Sequence, residues 1–249
     1  MPEISIVIPA KNEAPNIAGL LDEIDTACAP VCDYEVIVVD DGSDDGMDQI
    51  LRERMKTHPN LRLLQHKNAA GQRASGGQSA GVHSGVRAAK GSIICTLDGD
   101  GQNPPSELPA LMAPLRAANS EKIGLVAGQR VGRQDTMSKK LASKAANKIR
   151  GAILKDGTRD TGCGLKAFRR EAFLALPYFD HMHRYLPALF SRDGWQVAHV
   201  DVAHRSRGGG SSNYNNLQRG LVGIVDLMGV AWLLRRRKKA QPGEVMREE

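Results

Sequence analysis

Apolar runs and helical periodicities alternate along the first hundred residues. Runs rich in β-branched or leucine residues occupy 4–8, 34–39, 61–65 and 93–97, which predicts four buried strands. Between the first two, Ile17, Leu20, Leu21 and Ile24 recur with helical spacing. Because alternation of strands and helices is typical of α/β proteins, we predict a doubly wound, mostly parallel sheet flanked by helices.

Polar residues directly follow the first two predicted strands. Asn12 and Glu13 come after the first strand, and the second strand ends at Asp40 and Asp41. Open α/β sheets bind ligands at the carboxyl ends of their strands, and carboxylates there can accept hydrogen bonds from a nucleobase or ribose. A structural interpretation stays open, because Glu13 suits a first helical turn and the two aspartates suit an acidic turn or N-cap.

The fourth predicted strand ends at two carboxylates, Asp98 and Asp100, separated by one glycine. Glycine lets the chain bend, so the two side chains can converge on a hard divalent cation. The same residues also suit a solvated turn. We predict a Mg²⁺ or Mn²⁺ site that would hold a diphosphate.

A glycine-rich segment, 71–81, precedes a predicted helix that runs to Ala89. Gly77, Gln78 and Ser79 lie at its start, where backbone amides can approach an anionic ligand. The Gly-x-Gly-x-x-Gly pattern of dinucleotide dehydrogenases does not follow the first strand, which argues against that class. The basic glycine-rich loop of sugar-nucleotide pyrophosphorylases is missing there too.

Charge and cysteine content bear on the partners and the cellular compartment of the protein. The chain of 249 residues has a net charge of +6, of which the run 235–239 supplies five positive charges, so we expect no nucleic-acid surface. The four cysteines show no paired metal spacing, and we interpret them as reduced thiols of a cytosolic protein. The first predicted strand begins almost at once, without a preceding signal sequence.

The motifs together resemble those of inverting family-two glycosyltransferases, and more closely the polyprenyl-phosphate branch typified by dolichol-phosphate mannosyltransferase. The similarity rests on Ile6–Pro9 with Asn12–Glu13, on Val38–Ser43, on Leu97–Pro105 and on Asp160–Arg170, and it extends from Ile4 to about Leu234. It implies the GT-A fold and a nucleotide-sugar donor, GDP- or UDP-linked.

The resemblance also implies roles for individual residues. Asp98, Asp100 and Arg130 would be catalytic, with the metal on Asp98, Asp100 and Gln102. The predicted contacts to the nucleotide sugar are Pro9, Ala10, Asn12, Glu13, Asp40, Asp41, Gly77, Gln78, Ser79, Asp98 and Gly99. The predicted contacts to the acceptor phosphate, or from a mobile flap, are Lys139, Ser143, Arg205, Arg207 and Ser212. Asn213 stands where the family usually has a lysine in this flap.

The segment 221–234 is apolar but shorter than the ~20 residues of a membrane-spanning helix, and it contains Asp226. With the basic run after it, we predict a helix that lies on an anionic membrane surface, or else one buried on the domain or in a dimer. Asp226 is better explained by packing. The predicted organisation is a catalytic domain at 1–219, this helix and basic run at 220–240, and a flexible tail at 241–249.

We therefore predict metal-dependent, inverting transfer of a sugar from a nucleotide-sugar donor to a polyprenyl phosphate, by a protein peripheral to the cytoplasmic face of the membrane. Further steps on the lipid-linked product would need a separate membrane partner. Two alternatives stay open: a soluble family-two glycosyltransferase with a non-lipid acceptor, and a non-catalytic nucleotide-sugar-binding protein.

Overall fold

The structure, a computed structural model, describes residues 1–131, 149–205, 216–236 and 240. The strands in these ranges are β1 Ile4–Ala10, β2 Tyr34–Asp40, β3 Leu61–Gln65, β4 Ile93–Thr96, β5 Ile123–Arg130, β6 Lys166–Arg169 and β7 Gln196–Val202. The helices are α1 Ala14–Cys28, α2 Met47–Met55, α3 Gly77–Ala88, α4 Leu108–Arg116, α5 Arg170–Leu174, α6 Leu186–Arg192 and α7 Asn216–Arg235. Residues 149–154 are also helical, and Pro105–Glu107 and Met182–Arg184 form short 3₁₀ turns.

The seven strands form one sheet in the order β3-β2-β1-β4-β6-β5-β7. β1 pairs in parallel with β2 and β4, β2 with β3, and β5 with β7. β6 lies antiparallel between β4 and β5. The predicted α/β fold with a mostly parallel sheet is confirmed, and the reversed strand β6 was not among the predicted strands.

The sheet is covered by helices on both faces, which follows from the alternation of side chains along its strands. Ile4, Ile6 and Ile8 of β1 belong to a buried cluster with α1, α2 and α4. Val7 points to the other face and joins a cluster formed with α3, α5 and α6. Strands buried on both faces read as continuous apolar runs, which is why β1, β2 and β4 were visible in the sequence.

Helix α3 lies very close to β1 because its inner face carries glycines one turn apart. A Cβ added at Gly85 would overlap Val7 Cγ1, and one added at Gly81 would lie 2.8 Å from Pro9 Cβ. Gln78 and Ser79 precede these glycines on the same helix. The close approach therefore brings the start of α3 to the carboxyl end of β1.

Helix α7 begins at Asn216 and packs its inner side on the domain. Val230 is buried, and Leu227 and Leu233 pack against the same core as α6. Asp226 Oδ2 lies 3.0 Å from His181 Nδ1, so Asp226 contacts the domain, in agreement with the interpretation that it serves packing. No described helix is long and apolar enough to cross a membrane. The predicted tail, 241–249, lies outside the described residues.

Candidate active site

A cavity of about 430 Å³ opens at the carboxyl ends of β1, β4 and β5. Because β6 runs in the opposite direction, its amino end and the loop before it reach the same edge. The lining residues are Pro9, Gln78, Val82, Thr96, Leu97, Asp98, Arg130, Thr161, Gly162, Cys163, Gly164, Lys166, His183, Arg184 and Leu186. The predicted residues Pro9, Gln78, Asp98 and Arg130 are thus brought together.

Asp98 is held from both sides by amide donors. Gln78 Nε2 donates to Oδ1 at 2.7 Å, and Asn103 Nδ2 donates to Oδ2 at 3.1 Å. Burial raises the pKa of Asp98 and the charge of Asp100 raises it further, while Lys166 is the strongest of the groups that act in the opposite direction. A Cβ at Gly164 would overlap this carboxylate, so the backbone there fits closely around it.

The acidic pair suits a divalent cation that is shared with a phosphate ligand. Asp100 is partly exposed, and its Oδ1 accepts a hydrogen bond from the backbone N–H of Gln102 at 3.1 Å. The buried Oδ1 of Asn103 has no hydrogen-bond partner among the described residues. The described residues contain no group of three or more His, Cys, Asp and Glu side chains placed to hold a metal. Two carboxylates, amide oxygens and substrate phosphates match the way Mg²⁺ is usually bound, so these residues fit such a cation.

Arg130, at the end of β5, is fixed by Asp160. Its Nε donates to Asp160 Oδ2 at 2.6 Å, and its Nη2 donates to Oδ1 at 3.0 Å. Asp160 also accepts the backbone N–H of Gly162 at 3.1 Å. Burial lowers the pKa of Arg130, but the bonds and charge of Asp160 raise it overall, so this guanidinium is a permanent cation at the cavity wall.

Lys166 is a buried cation that our sequence prediction of site residues missed. It begins β6, pairs with Thr96 in the register, is only 4% exposed and lines the cavity. Its Nζ donates to the carbonyl oxygen of Cys163. Burial lowers its pKa, while the charges of Cys163 and Asp98 oppose that shift. The sequence signal was a lysine inside the apolar run 165–168.

His183 was also missed, because it lies in a segment with no recognisable pattern. Ser79 Oγ lies 2.8 Å from its Nδ1 and 3.3 Å from its backbone nitrogen, which fixes the ring against α3. Burial lowers the pKa of His183 well below its usual value, and the neighbouring cations Lys166 and Arg184 lower it further. Ser79 itself is only 1% exposed, so its side chain positions His183.

The loops after β1 and β2 are tied to each other. The backbone N–H of Asn12, a residue with a positive φ of 57°, donates to Ser43 Oγ at 3.0 Å. Asn12 Oδ1 accepts the backbone N–H of Asp44 at 3.0 Å. Asp40 caps the same turn, because its Oδ1 accepts the backbone N–H of Ser43 at 2.8 Å. Asn12 and Asp40 do not line the cavity, and their side chains fix the turns that follow β1 and β2.

Asp41 anchors the glycine-rich loop before α3. Its carboxylate accepts hydrogen bonds from Ser75 Oγ at 2.6 Å and from the backbone N–H groups of Gly76 at 2.6 Å and Gly77 at 3.0 Å. His66 Nδ1 lies 2.6 Å from the same carboxylate. Burial alone would raise the pKa of Asp41, but these bonds lower it overall. The amide of Gly77 is thus directed at Asp41.

Glu13 lies beside the Asp98–Asp100 loop. It is only 8% exposed and accepts a hydrogen bond from Asn16 Nδ2 at 2.8 Å. A Cβ at Gly99 would lie 3.0 Å from Ala10 Cβ and 3.5 Å from Glu13 Cγ. Ala10 and Gly99 therefore pack the ends of β1 and β4 together.

Arg205 is not part of the cavity. Its guanidinium pairs with Glu23 on α1 at 2.9 Å, and its backbone N–H donates to the carbonyl oxygen of Gln102 at 2.9 Å. Arg205 thus touches the loop after β4 through its backbone. The other predicted acceptor and flap residues, Lys139, Ser143, Arg207 and Ser212, lie outside the described residues.

Comparison with known families assigns the chain to a family. The Glycosyl transferase family 2 model matches residues 5–176, from the first residues of β1 to just after α5. The chain belongs to glycosyl transferase family 2. The predicted resemblance is confirmed, and the matched range contains the Asp98–Asp100 pair, Arg130 and Lys166.

Curated relatives come from the polyprenyl-phosphate branch. The chain is 32% identical over 228 residues to an undecaprenyl-phosphate 4-deoxy-4-formamido-L-arabinose transferase of Aeromonas hydrophila. The alignment covers 90% of this chain and 65% of the relative. A protein of the same name from Proteus mirabilis is 32% identical over 229 residues, with coverage of 91% and 65%. The chain therefore spans slightly less than two thirds of these relatives.

Solved structures with the same fold are GT-A glycosyltransferases. Glucosyl-3-phosphoglycerate synthase from Mycobacterium tuberculosis, in complex with Mn²⁺, UDP and its product, aligns with a TM-score of 0.66 at 19% identity, covering 94% of this chain and 80% of that one. Mannosyltransferase PcManGT from Pyrobaculum calidifontis, in complex with GDP-Man and Mn²⁺, aligns with a TM-score of 0.64 at 21% identity. The alignment covers 97% of this chain and 66% of that one. The predicted GT-A fold is confirmed.

Proposed function

We propose that this protein transfers a sugar from a nucleoside-diphosphate donor to a polyprenyl phosphate, with inversion at the anomeric carbon and with a bound Mg²⁺ or Mn²⁺. The observation that most supports this proposal is the cavity at the strand ends, which Asp98 lines together with the fixed cation Arg130 and the buried Lys166. Undecaprenyl-phosphate sugar transferases among the relatives support the acceptor class, and the nucleotides and Mn²⁺ in the structural neighbours support the donor and metal.

The metal site would use Asp98 and Asp100, with Gln102 as the predicted third ligand and Asn103 Oδ1 as a further buried oxygen nearby. Such a cation stabilises the negative charge that develops on the leaving diphosphate. Asn103 and Gln78 orient Asp98 through their amide groups, so the carboxylate is held in place before the donor binds.

The chain's basic residues bring two anionic reactants together. A phosphate nucleophile is already ionised at neutral pH, so this reaction needs no strong general base and depends mainly on positioning and charge. Arg130 presents a guanidinium whose orientation is set by Asp160, which leaves part of its fork for a phosphate oxygen. Lys139 and Ser143 stay as the predicted additional ligands of the acceptor phosphate.

The nucleoside would lie over the paired loops after β1 and β2. Asn12 and Asp40 shape this surface through their turn contacts, and Glu13 borders it beside Gly99. Pro9 and Gln78 line the cavity together with Asp98 of the acidic pair. Asp41 acts indirectly, because it fixes the glycine-rich loop at the start of α3.

We place the protein at the cytoplasmic face of a membrane, with α7 on the surface. The outer side of α7 is apolar: Val225 is 65% exposed, Met228 62% and Trp232 59%. Arg235 and Arg236 are exposed at its end, and the sequence continues with three more basic residues. An apolar face with an aromatic residue and adjacent cations suits the interface of an anionic leaflet.

The test is transfer of radiolabelled sugar from a panel of GDP- and UDP-sugars to short-chain polyprenyl phosphate, with Mn²⁺ or Mg²⁺ and with a chelator. We expect label in the lipid fraction that disappears with the chelator. Metal-dependent label in a water-soluble product would instead support a glycosyltransferase with a non-lipid acceptor. Donor binding without any turnover would support a non-catalytic binding protein, and no binding across the panel would contradict the proposal.

A further inference from the structure

The cavity contains hydrogen-bond donors to which the proposed function assigns no ligand atom. Lys166 and His183 both line it, together with the apolar side chains of Val82 and Leu186. Asp98 and Arg130, which would hold the metal and the phosphates, line the same cavity. The part of a donor that lies beyond the diphosphate is its sugar.

The ammonium group of Lys166 keeps donor capacity. It carries three N–H groups and donates to the carbonyl oxygen of Cys163. Among the described residues no second hydrogen-bond acceptor is in place for it. A lysine that is 4% exposed in a polar cavity therefore has N–H groups available for a ligand oxygen.

The proton position on His183 follows from its contacts with Ser79. Ser79 Oγ accepts the backbone N–H of His183 at 3.3 Å, and its hydroxyl proton has only Nδ1, 2.8 Å away, as an acceptor among the described residues. Nδ1 is then the acceptor, and the neutral ring carries its proton on Nε2. Burial lowers the pKa of His183 well below its usual value, and the positive charges of Lys166 and Arg184 lower it further, so the ring is neutral. His183 thus presents an Nε2–H donor.

We propose that Lys166 and His183 determine which donor sugar the cavity takes, by donating hydrogen bonds to acceptor oxygens on the sugar ring. This inference rests on the proposed function. The cavity then accepts sugars that carry hydroxyl, acylamino or carboxylate groups at this position. It rejects sugars with a free amino group, because their protonated amine meets the charge of Lys166 and offers no lone pair to either donor.

The test separates sugar recognition from nucleotide recognition. Dissociation constants are measured by calorimetry with Mn²⁺ for UDP, UDP-glucose, UDP-N-acetylglucosamine, UDP-glucuronate and UDP-glucosamine, and for GDP and GDP-mannose. The variants are Lys166→Met, which keeps length and apolar bulk, and His183→Leu. His183→Gln is the conservative variant, because its amide can place an N–H close to the position of Nε2.

We expect both substitutions to leave the affinity for the nucleoside diphosphate unchanged and to weaken binding of the accepted nucleotide sugar. The loss should be about 10- to 100-fold for Lys166→Met and about 5- to 10-fold for His183→Leu, the range of one charged and one neutral hydrogen bond. His183→Gln should recover most of the affinity for the nucleotide sugar that His183→Leu loses. The wild type should bind UDP-glucosamine at least about 10-fold more weakly than UDP-N-acetylglucosamine, and Lys166→Met should reduce this preference.

Two results would overturn the inference and leave the proposed function standing. One is an equal loss for the nucleoside diphosphate and the nucleotide sugar, which would mean that Lys166 serves the diphosphate. The other is a preference against the free amine that survives in Lys166→Met. Absence of any nucleotide binding by the wild type would overturn the proposed function, and this inference with it.

Discussion

Arg130 and Asp160 form an ion pair with two hydrogen bonds, 2.6 Å from Nε to Oδ2 and 3.0 Å from Nη2 to Oδ1. Both side chains are about 15% exposed, so the pair is more protected than an ordinary surface ion pair. Two parallel bonds fix the plane of the guanidinium as well as its position. Asp160 is therefore a positioning residue for the cation that would meet the phosphates.

Replacement of this carboxylate should misplace Arg130. For Asp160→Asn we expect kcat for sugar transfer to fall by about 10²-fold, the cost of a displacement of about 1 Å in a reacting group. Steady-state transfer assays measure it. Asp201→Asn is the control, because Asp201 pairs with Arg159 at 2.5 Å where both side chains are more than half exposed. Equal activity of both variants would contradict the positioning role.

Asp100 should be required for metal binding but not for folding. Asp100→Asn keeps the Oδ1 that accepts the Gln102 N–H, so its free energy of unfolding without metal should change by less than about 0.5 kcal/mol. Wild-type protein with Mn²⁺ and the nucleoside diphosphate that it binds, at about 100 times the dissociation constant, should gain about 2.7 kcal/mol. This gain, measured as a thermal shift, should disappear in Asp100→Asn.

The control for this experiment is Asp44→Asn. Asp44 is exposed in the loop after β2, so its replacement removes the same charge at the same edge of the sheet. It should keep the full thermal shift. A shift that is unchanged in Asp100→Asn, or abolished equally in Asp44→Asn, would contradict the assignment of the metal site.

The backbone at Gly164 should tolerate no side chain. A Cβ there would overlap the Asp98 carboxylate, whereas one at Gly19 in α1 meets nothing within 4 Å. Gly164→Ala should displace Asp98, destabilise the fold by about 1–3 kcal/mol and abolish transfer. Gly19→Ala should stabilise the fold by about 0.5–1 kcal/mol at full activity, because alanine is the better helix former. Urea unfolding and transfer assays distinguish them, and an active Gly164→Ala would contradict the close fit.

The sequence predicted the first half of the fold and the acidic half of the site. Strands β1, β2 and β4 are buried on both faces, and acidic residues lie at or shortly after the end of each, so the hydrophobic pattern and the candidate chemistry coincide. Strand β6 could not be recognised, because its pairing partners are distant in the sequence and its first residue, Lys166, is charged. His183 depends on a contact with Ser79 across 104 positions, which no local pattern encodes. The hydrogen bonds of Asp41 to the loop before α3 could not be predicted either, because they join residues more than 30 positions apart, and its contact with the donor stays a prediction.

Asp41 should make the stability of the protein depend on pH. Its pKa is lowered in the folded state from an ordinary value of 3.8, because its bonds from Ser75 and Gly76 outweigh the effect of burial. A carboxylate of this kind stabilises the fold fully above pH 3.8 and loses that contribution as the pH falls through its lower folded-state pKa. Asp41→Asn should thus cost about 1–3 kcal/mol at pH 7 and progressively less below pH 4.

Urea unfolding of both proteins across this pH range measures the difference. Asp33→Asn is the control, since Asp33 is exposed and makes no side-chain hydrogen bond among the described residues. It should show no pH-dependent difference from the wild type. A cost for Asp41→Asn that stays constant from pH 7 to pH 3 would mean that the carboxylate charge does not hold the loop.

The outer face of α7 should bind membranes that contain anionic lipid. Met228 and Trp232 lie one helical turn apart on this face, both about 60% exposed, and the double variant Met228→Glu, Trp232→Glu puts charge where apolar area would enter the interface. Each buried apolar side chain contributes about 1.5–3 kcal/mol, so partition into phosphatidylcholine–phosphatidylserine vesicles should fall at least 10-fold.

The control is Val31→Glu, at a position 43% exposed outside α7, which should bind these vesicles as the wild type does. Sedimentation with vesicles measures partition, and activity toward a short, water-soluble polyprenyl phosphate should persist in the double variant because the cavity is untouched. Unchanged vesicle binding would show that this face serves another contact, and a doubled mass that the variant loses in solution would identify that contact as a dimer.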